Sequence, residues 1–172
     1  SKSHTSGADW VTIGRSAGVN NTTGQQRTIV GNNAAQYNTG NGNPAIGFWA
    51  LKGASSGTGN GGFNGAVGRN ALDVLTTGSF NTAIGNDSAE NLQSGFFNPY
   101  LGRDSGTGHI NGTNCTFVGN AAAPSTTGAS NEIILGDASV AALRCQVTSI
   151  TALSDRRDKT KIEDSNYGLN VI

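Results

Sequence analysis

An aliphatic residue followed by glycine recurs eight times: Ile13-Gly14, Val30-Gly31, Ile46-Gly47, Val67-Gly68, Ile84-Gly85, Leu101-Gly102, Val118-Gly119 and Leu135-Gly136. The glycine-to-glycine steps are 17, 16, 21, 17, 17, 17 and 17 residues. Self-similarity at a fixed short period is the signature of a stacked repeat. Three further columns keep step. A small residue stands three places after each glycine: Ala17, Ala34, Ala50, Ala71, Ser88, Ser105, Ala122 and Ser139. Another glycine stands seven places before it at Gly24, Gly40, Gly61, Gly78, Gly95 and Gly112, with Gly128 one place further back in the last rung. Asparagine stands four places before it in consecutive rungs, at Asn43, Asn64, Asn81 and Asn98.

A period near 17 residues is too short for helical-hairpin repeats, which need about 33. It suits two or three short strands joined by turns. Val, Ile, Thr and Phe supply strand preference, and Gly, Asn and Asp supply corners that tolerate positive φ. The expected fold is all-β: a repetitive β-solenoid or β-roll with one rung per repeat. The aliphatic residue before each glycine is expected to point inward, the small residue to mark a tight inner corner, and the asparagines to bond from rung to rung. One anchor aliphatic per rung offsets only part of the cost of ordering the backbone. Assembly into a parallel homotrimer is therefore expected.

Charge and composition narrow the function. Net charge is zero, so there is no electrostatic footprint for nucleic acid or an anionic membrane. No apolar run approaches the ~20 residues of a spanning helix, and no membrane insertion is expected. The chain is rich in glycine but periodic and uncharged overall, which argues against disorder. Cys115 and Cys145 make neither a disulfide framework nor a metal cluster and read as buried or half-buried thiols. Without methionine, and ending on Gly168 to Ile172, the chain reads as a fragment or a processed product.

Four regions follow: a lead-in at 1–9, the solenoid at 10–140, a β neck at 141–154, where small and apolar residues alternate, and a charged tail at 155–172. Trp10 takes the asparagine position in the first rung and reads as an end cap, since terminal repeats are atypical. The third rung departs most. Phe48-Trp49 follow Gly47 where other rungs carry Arg69-Asn70, Asn86-Asp87 or Arg103-Asp104, and the longest insertion, Gly53 to Gly62, comes next. An aromatic pair at an outer corner is either packed under that loop or against another chain, or is a glycan- or receptor-binding platform. Phe96, Phe97 and Tyr100 are candidates for core or interchain contacts. Asp87, Asp104 and Asp137 follow rung glycines, but no dense Asp/Asn/Gly loop suggests calcium. His4 and His109 stand far from any second ligand. No cofactor and no metal site is expected, and no Ser-His-Asp set or carboxylate pair requires a substrate-directed enzyme.

The stretch Asn81-Thr82-Ala83-Ile84-Gly85-Asn86-Asp87-Ser88-Ala89 resembles the head repeats of trimeric autotransporter adhesins, and closely similar repeats occur in phage tail fibres. The resemblance covers roughly Trp10 to Val140 and implies a trimeric β-structured shaft or head.

The tail carries a second resemblance. From Asp155 to Asp164 eight of ten residues are charged. The motif Leu153-Ser154-Asp155-Arg156-Arg157-Asp158-Lys159-Thr160-Lys161-Ile162 resembles the start of the self-cleaving intramolecular chaperone of endosialidases and phage tail spikes and fibres. The resemblance implies autocatalytic cleavage of the Ser154–Asp155 bond by a Ser-Lys dyad, with Ser154 as nucleophile and Lys159 as base. A serine hydroxyl needs such a base, and burial lowers a lysine's pKa enough to serve. Together the two resemblances imply a receptor-binding phage tail fibre in the virion tail, assembled in the host cytoplasm. Its partners would be two further copies, other tail proteins and a host-surface glycan or protein. Phe48 and Trp49 are the candidate contact residues. A glycan-degrading tail spike and a bacterial autotransporter head are the alternatives.

Overall fold

The computed structural model describes residues 10–21, 24–54 and 61–144. Its solenoid unit runs to Val140. The fold is all-β, and there is no helix among the described residues. Eight short strands are β1 (Trp10–Ile13), β2 (Arg27–Val30), β3 (Ala45–Ile46), β4 (Gly65–Val67), β5 (Thr82–Ile84), β6 (Pro99–Leu101), β7 (Thr116–Val118) and β8 (Ile133–Leu135). They form one parallel sheet in chain order. Each strand pairs in register with its equivalent in the next repeat, as Thr82, Ala83 and Ile84 do with Pro99, Tyr100 and Leu101. The rungs therefore stack within a single chain as a β-solenoid.

Each rung holds one strand rather than two or three. The remainder is a tight corner, because the residues two and four places after the rung glycine are left-handed. Asn70 and Leu72 lie at φ 55° and 53°, and Asp87 and Ala89 at 56° and 50°. Hydrogen bonding between rungs continues around this corner. Gly85, Asp87 and Ala89 donate their backbone N–H to Val67, Arg69 and Ser105 at 2.8 Å each. The corner thus satisfies its backbone without being a strand.

The rung glycines are fixed by stacking. Gly85 has φ +143°, and a Cβ there would sit on the carbonyl of Gly102 in the next rung. The same collision recurs from Gly14 to Gly102. No side chain fits that column, whatever its polarity.

The aliphatic residue before each glycine points outward, contrary to expectation. Ile84 is 44% exposed and Leu101 49%, while their neighbours Ala83 and Tyr100 are 0% and 1% exposed. The inner strand position holds Ile29, Ala45, Ala66, Ala83, Tyr100 and Phe117, all buried. The reason is volume: the rung is too narrow for a large residue at every inner site. Where the strand offers alanine, Leu51, Leu72, Leu75 and Leu92 fill the interior from the far side of the rung. Where it offers Tyr100, the far side offers Gly106, whose added Cβ would strike the tyrosine ring. Packing is conserved in sum rather than column by column. The small residues three places after the glycine are buried as expected from Ala17 to Ala122, whereas Ser139 is exposed.

The asparagines form a ladder. Asn64 Oδ1 accepts from the backbone N–H and side-chain amide of Asn81, both at 3.0 Å. Asn81 Oδ1 accepts from the same groups of Asn98 at 3.1 and 3.0 Å. The Asn81 and Asn98 amides donate to Gly95 O at 2.7 Å and Gly112 O at 2.9 Å. Cys115 continues the column, taking the Asn98 oxygen on its N–H at 2.8 Å and placing Sγ 3.3 Å from Ala129 O.

Candidate functional site

Two surfaces depart from a plain polar exterior. The first is the outer face of the sheet. Ile13, Ile46, Val67, Ile84, Leu101, Val118 and Leu135 are each between 38% and 60% exposed, with Val30 half-buried in the same row. A second apolar row stands five places before the glycines at Phe63, Phe80 and Phe97, which are 58%, 49% and 57% exposed. Their rings stack nearly parallel, with centroids 5.2 and 5.0 Å apart. The row ends in Asn114 and Asn131, whose side chains bond at 3.0 Å. Tyr100, by contrast, belongs to the core: it stacks on Phe117 at 4.9 Å.

The second surface is a groove of about 420 Å³ on the second to fourth rungs, lined among others by Asn33, Gln36, Tyr37, Trp49, Lys52 and Val74. The two aromatic residues singled out in the third rung meet here. Phe48 stacks on Trp49, with centroids 4.9 Å apart and planes 24° from parallel. Lys52 Nζ lies over the Trp49 ring, 4.3 Å from its centroid, and 3.0 Å from Asp73 Oδ1. Trp49 is half-buried and lines the groove, while Phe48 is 42% exposed beside it. Trp49 is held at φ 58°, an uncommon conformation for a bulky residue.

Tyr37, Lys52 and Asp73 were not singled out by the repeat pattern. They stand five or six places after rung glycines, and three rungs are needed to bring them together. The available signal was Gly53: its column reads Tyr37, Gly53, Val74, a gap between two bulky residues.

The remaining candidates are engaged locally. Asp87 receives Arg69 at 2.6 Å and Asn70 Nδ2 at 2.8 Å, and Asp104 receives Arg103 at 2.8 Å. Glu90 is held above the ordinary glutamate value by partial burial and by Asp87, Asp104 and Asp73. Among the described residues no group of three or more His, Cys, Asp or Glu side chains gathers as a metal site. His109 is fully buried. Its Nδ1 is 2.6 Å from Tyr100 Oη, and its Nε2 is 2.9 Å from Ala129 O. The carbonyl only accepts, so Nε2 carries the proton and Nδ1 accepts from the tyrosine. Burial lowers the imidazole's pKa, so it stays neutral. Burial likewise raises the Tyr100 hydroxyl well above the ordinary tyrosine value.

Arg27 occupies the asparagine column in the second rung. It is 2% exposed, donates to Asn38 O at 2.9 Å and lies 5.7 Å from the Trp10 ring centroid. Desolvation pulls its pKa down to about 10. Ser154, Asp155 and Lys159 lie outside the described residues, as do His4 and Cys145.

Comparison with protein-family models, with curated proteins and with solved structures returns no match.

Proposed function

We propose that the chain is the structural and receptor-binding part of a phage tail fibre, a parallel homotrimer matured by a self-cleaving C-terminal chaperone. The outward aliphatic row carries this reading. Seven residues between 38% and 60% exposed run along one sheet face, flanked by a stack of three phenylalanines. A contiguous apolar stripe of this kind marks an interaction surface. Every rung repeats the stripe, so a copy of the same chain lying parallel would match it rung for rung. Three copies around one axis would bury all three stripes and multiply weak receptor contacts. The resemblance of Leu153 to Ile162 to the chaperone start supports the phage reading over a bacterial autotransporter head. In this reading the fibre sits in the virion tail, joins other tail proteins, and attaches to a host-surface glycan or protein through the corner that carries Phe48 and Trp49.

Native mass spectrometry of the gene product, expressed with its downstream sequence, tests this. The expected species is three chains each ending at Ser154, with Ser154→Ala retaining the tail. Ile84→Lys in the outward row should shift the mass toward one chain. Uncut monomers from the unaltered gene would overturn the proposal.

A further inference from the structure

We propose that the groove on the second to fourth rungs is a subsite for one neutral sugar ring of a host glycan. The inference rests on the receptor-binding reading above and names the ligand class and residues for it. The groove exists because of a column. Six places after the rung glycine stand Tyr37, Gly53 and Val74 in successive rungs. Gly53, at φ 79°, donates its N–H to Asp73 O at 2.9 Å, which holds a stretch of bare backbone between two side chains. Rungs stack at about 4.8 Å, so the walls stand about 10 Å apart. At about 420 Å³ the groove lies at the small end of ligand clefts, which run from about 300 to 1,000 Å³.

Its lining is of the mixed kind a sugar requires. Tyr37 and Val74 offer apolar walls for the C–H face of a pyranose. The amides of Asn33 and Gln36 each offer a donor and an acceptor, matching hydroxyls that do both. Lys52 is already held by Asp73 at 3.0 Å and by the Trp49 ring at 4.3 Å. Its ammonium is thus positioned before any ligand arrives, which reduces the ordering cost of binding. The same ion pair neutralises it, so the groove has no surplus positive charge to favour an acidic sugar. A single carboxylate makes it a poor cation site, and one paired lysine gives no track for a phosphate backbone. The lining residues follow the rung glycines, whereas the apolar stripe precedes them. Trimer assembly and sugar binding therefore draw on different columns.

The chain has two tryptophans, Trp10 and Trp49, so the two indole N–H signals in a ¹H–¹⁵N spectrum of the intact protein report the groove and the solenoid's first rung separately. The probes are N-acetylglucosamine, methyl α-galactoside and N-acetylneuraminic acid, each titrated to about 50 mM, since one sugar on an open groove binds in the millimolar range. At least one neutral sugar is expected to move the Trp49 signal and leave Trp10 in place. Tyr37→Ala should weaken that response about tenfold. Val74→Arg, which fills the groove from a half-buried position, should abolish it and stands in if the tyrosine variant misfolds. No response to any probe would overturn the inference, as would a response to the acidic sugar alone or one that survives Val74→Arg. A silent groove in an intact trimer would remove this subsite and leave the fibre reading standing.

Discussion

The rungs closed by Gly68 to Gly119 and those closed by Gly14 to Gly47 share one backbone but fill it differently. In the former, steps are 17 residues, asparagine bonds to asparagine, and Leu75 and Leu92 occupy the buried column seven places after the glycine. In the latter, the steps leading from Gly31 are 16 and 21 residues, and the same buried column holds Asn21 and Asn38. Arg27 replaces the ladder asparagine there, and its Nε and one terminal nitrogen are buried without a hydrogen-bond partner. The regular rungs are built for stacking. The groove opens where the irregular rungs meet the first regular one, and the irregular rungs put asparagine in a buried column that holds Leu75 and Leu92 in the regular ones. Departures from local consistency tend to concentrate where a surface has another task.

The comparison breaks most violently at a rung glycine. Gly85→Val places a branched side chain on the Gly102 carbonyl at φ +143°, combining a backbone collision with a strained conformation. Loss of the folded state is expected, seen as a collapsed far-UV signal. A variant that melts within a few degrees of the unaltered chain would show that rungs can separate locally.

Next comes the ladder. Asn81→Leu removes the acceptor for Asn98 N and the donor to Gly95 O and leaves both buried groups unpaired, at about 1–3 kcal/mol each. A loss of about 3 kcal/mol is expected in chemical denaturation. A change in the same column at the irregular end has the opposite sign. Burial lowers Arg27 from the ordinary arginine value to about 10, equivalent to about 3 kcal/mol of stability lost in keeping a buried charge. Arg27→Asn removes that burden and restores a ladder residue beside Asn43, but it forfeits the bond to Asn38 O at 2.9 Å. A net gain of about 1–2 kcal/mol is expected, after the lost bond at about 1 kcal/mol. If Arg27→Asn destabilises as much as Asn81→Leu, the two ends are equally dependent on their column residues and the contrast fails.

How much of this was legible in the sequence follows from the same columns. The period, the glycine column and the asparagine ladder could be read because each position repeats one residue type for one physical reason. The inward direction could not. Ile84 beside Ala83 invites the larger residue inside, and only the Leu72, Leu75 and Leu92 column shows the interior already filled. That complementarity is visible only once the far side of the rung is known to face the strand. The groove was half legible. Phe48 and Trp49 visibly break their column, whereas Tyr37, Lys52 and Asp73 look ordinary until three rungs place them side by side.

The mildest test turns on His109, where the regular rungs depart from their own pattern. In the column of Leu75 and Leu92 it is a buried polar residue, yet both its nitrogens are satisfied, by Tyr100 Oη at 2.6 Å and Ala129 O at 2.9 Å. Protonation would put a second donor on Nδ1, facing a hydroxyl that now donates to it. Desolvation lowers the folded pKa below the ordinary 6.5, so the unfolded chain takes up the proton first. The contribution is therefore whole above about pH 6.5 and is lost as pH falls from there toward the folded value. Just below about pH 6.5 the stability should therefore fall as the pH falls. Glu132, lowered from 4.5 by its hydrogen bonds to Ser125, titrates below that window. A double variant, Tyr100→Phe with His109→Leu, extends the leucine column and leaves no orphaned hydroxyl. Its denaturation midpoint should slope less than that of the unaltered chain over the same interval, since Glu90, held above the ordinary glutamate value, is present in both. An unaltered chain that is itself flat there would mean that this imidazole accommodates its proton in place. The polar exception in the regular rungs would then resemble the buried arginine at the other end.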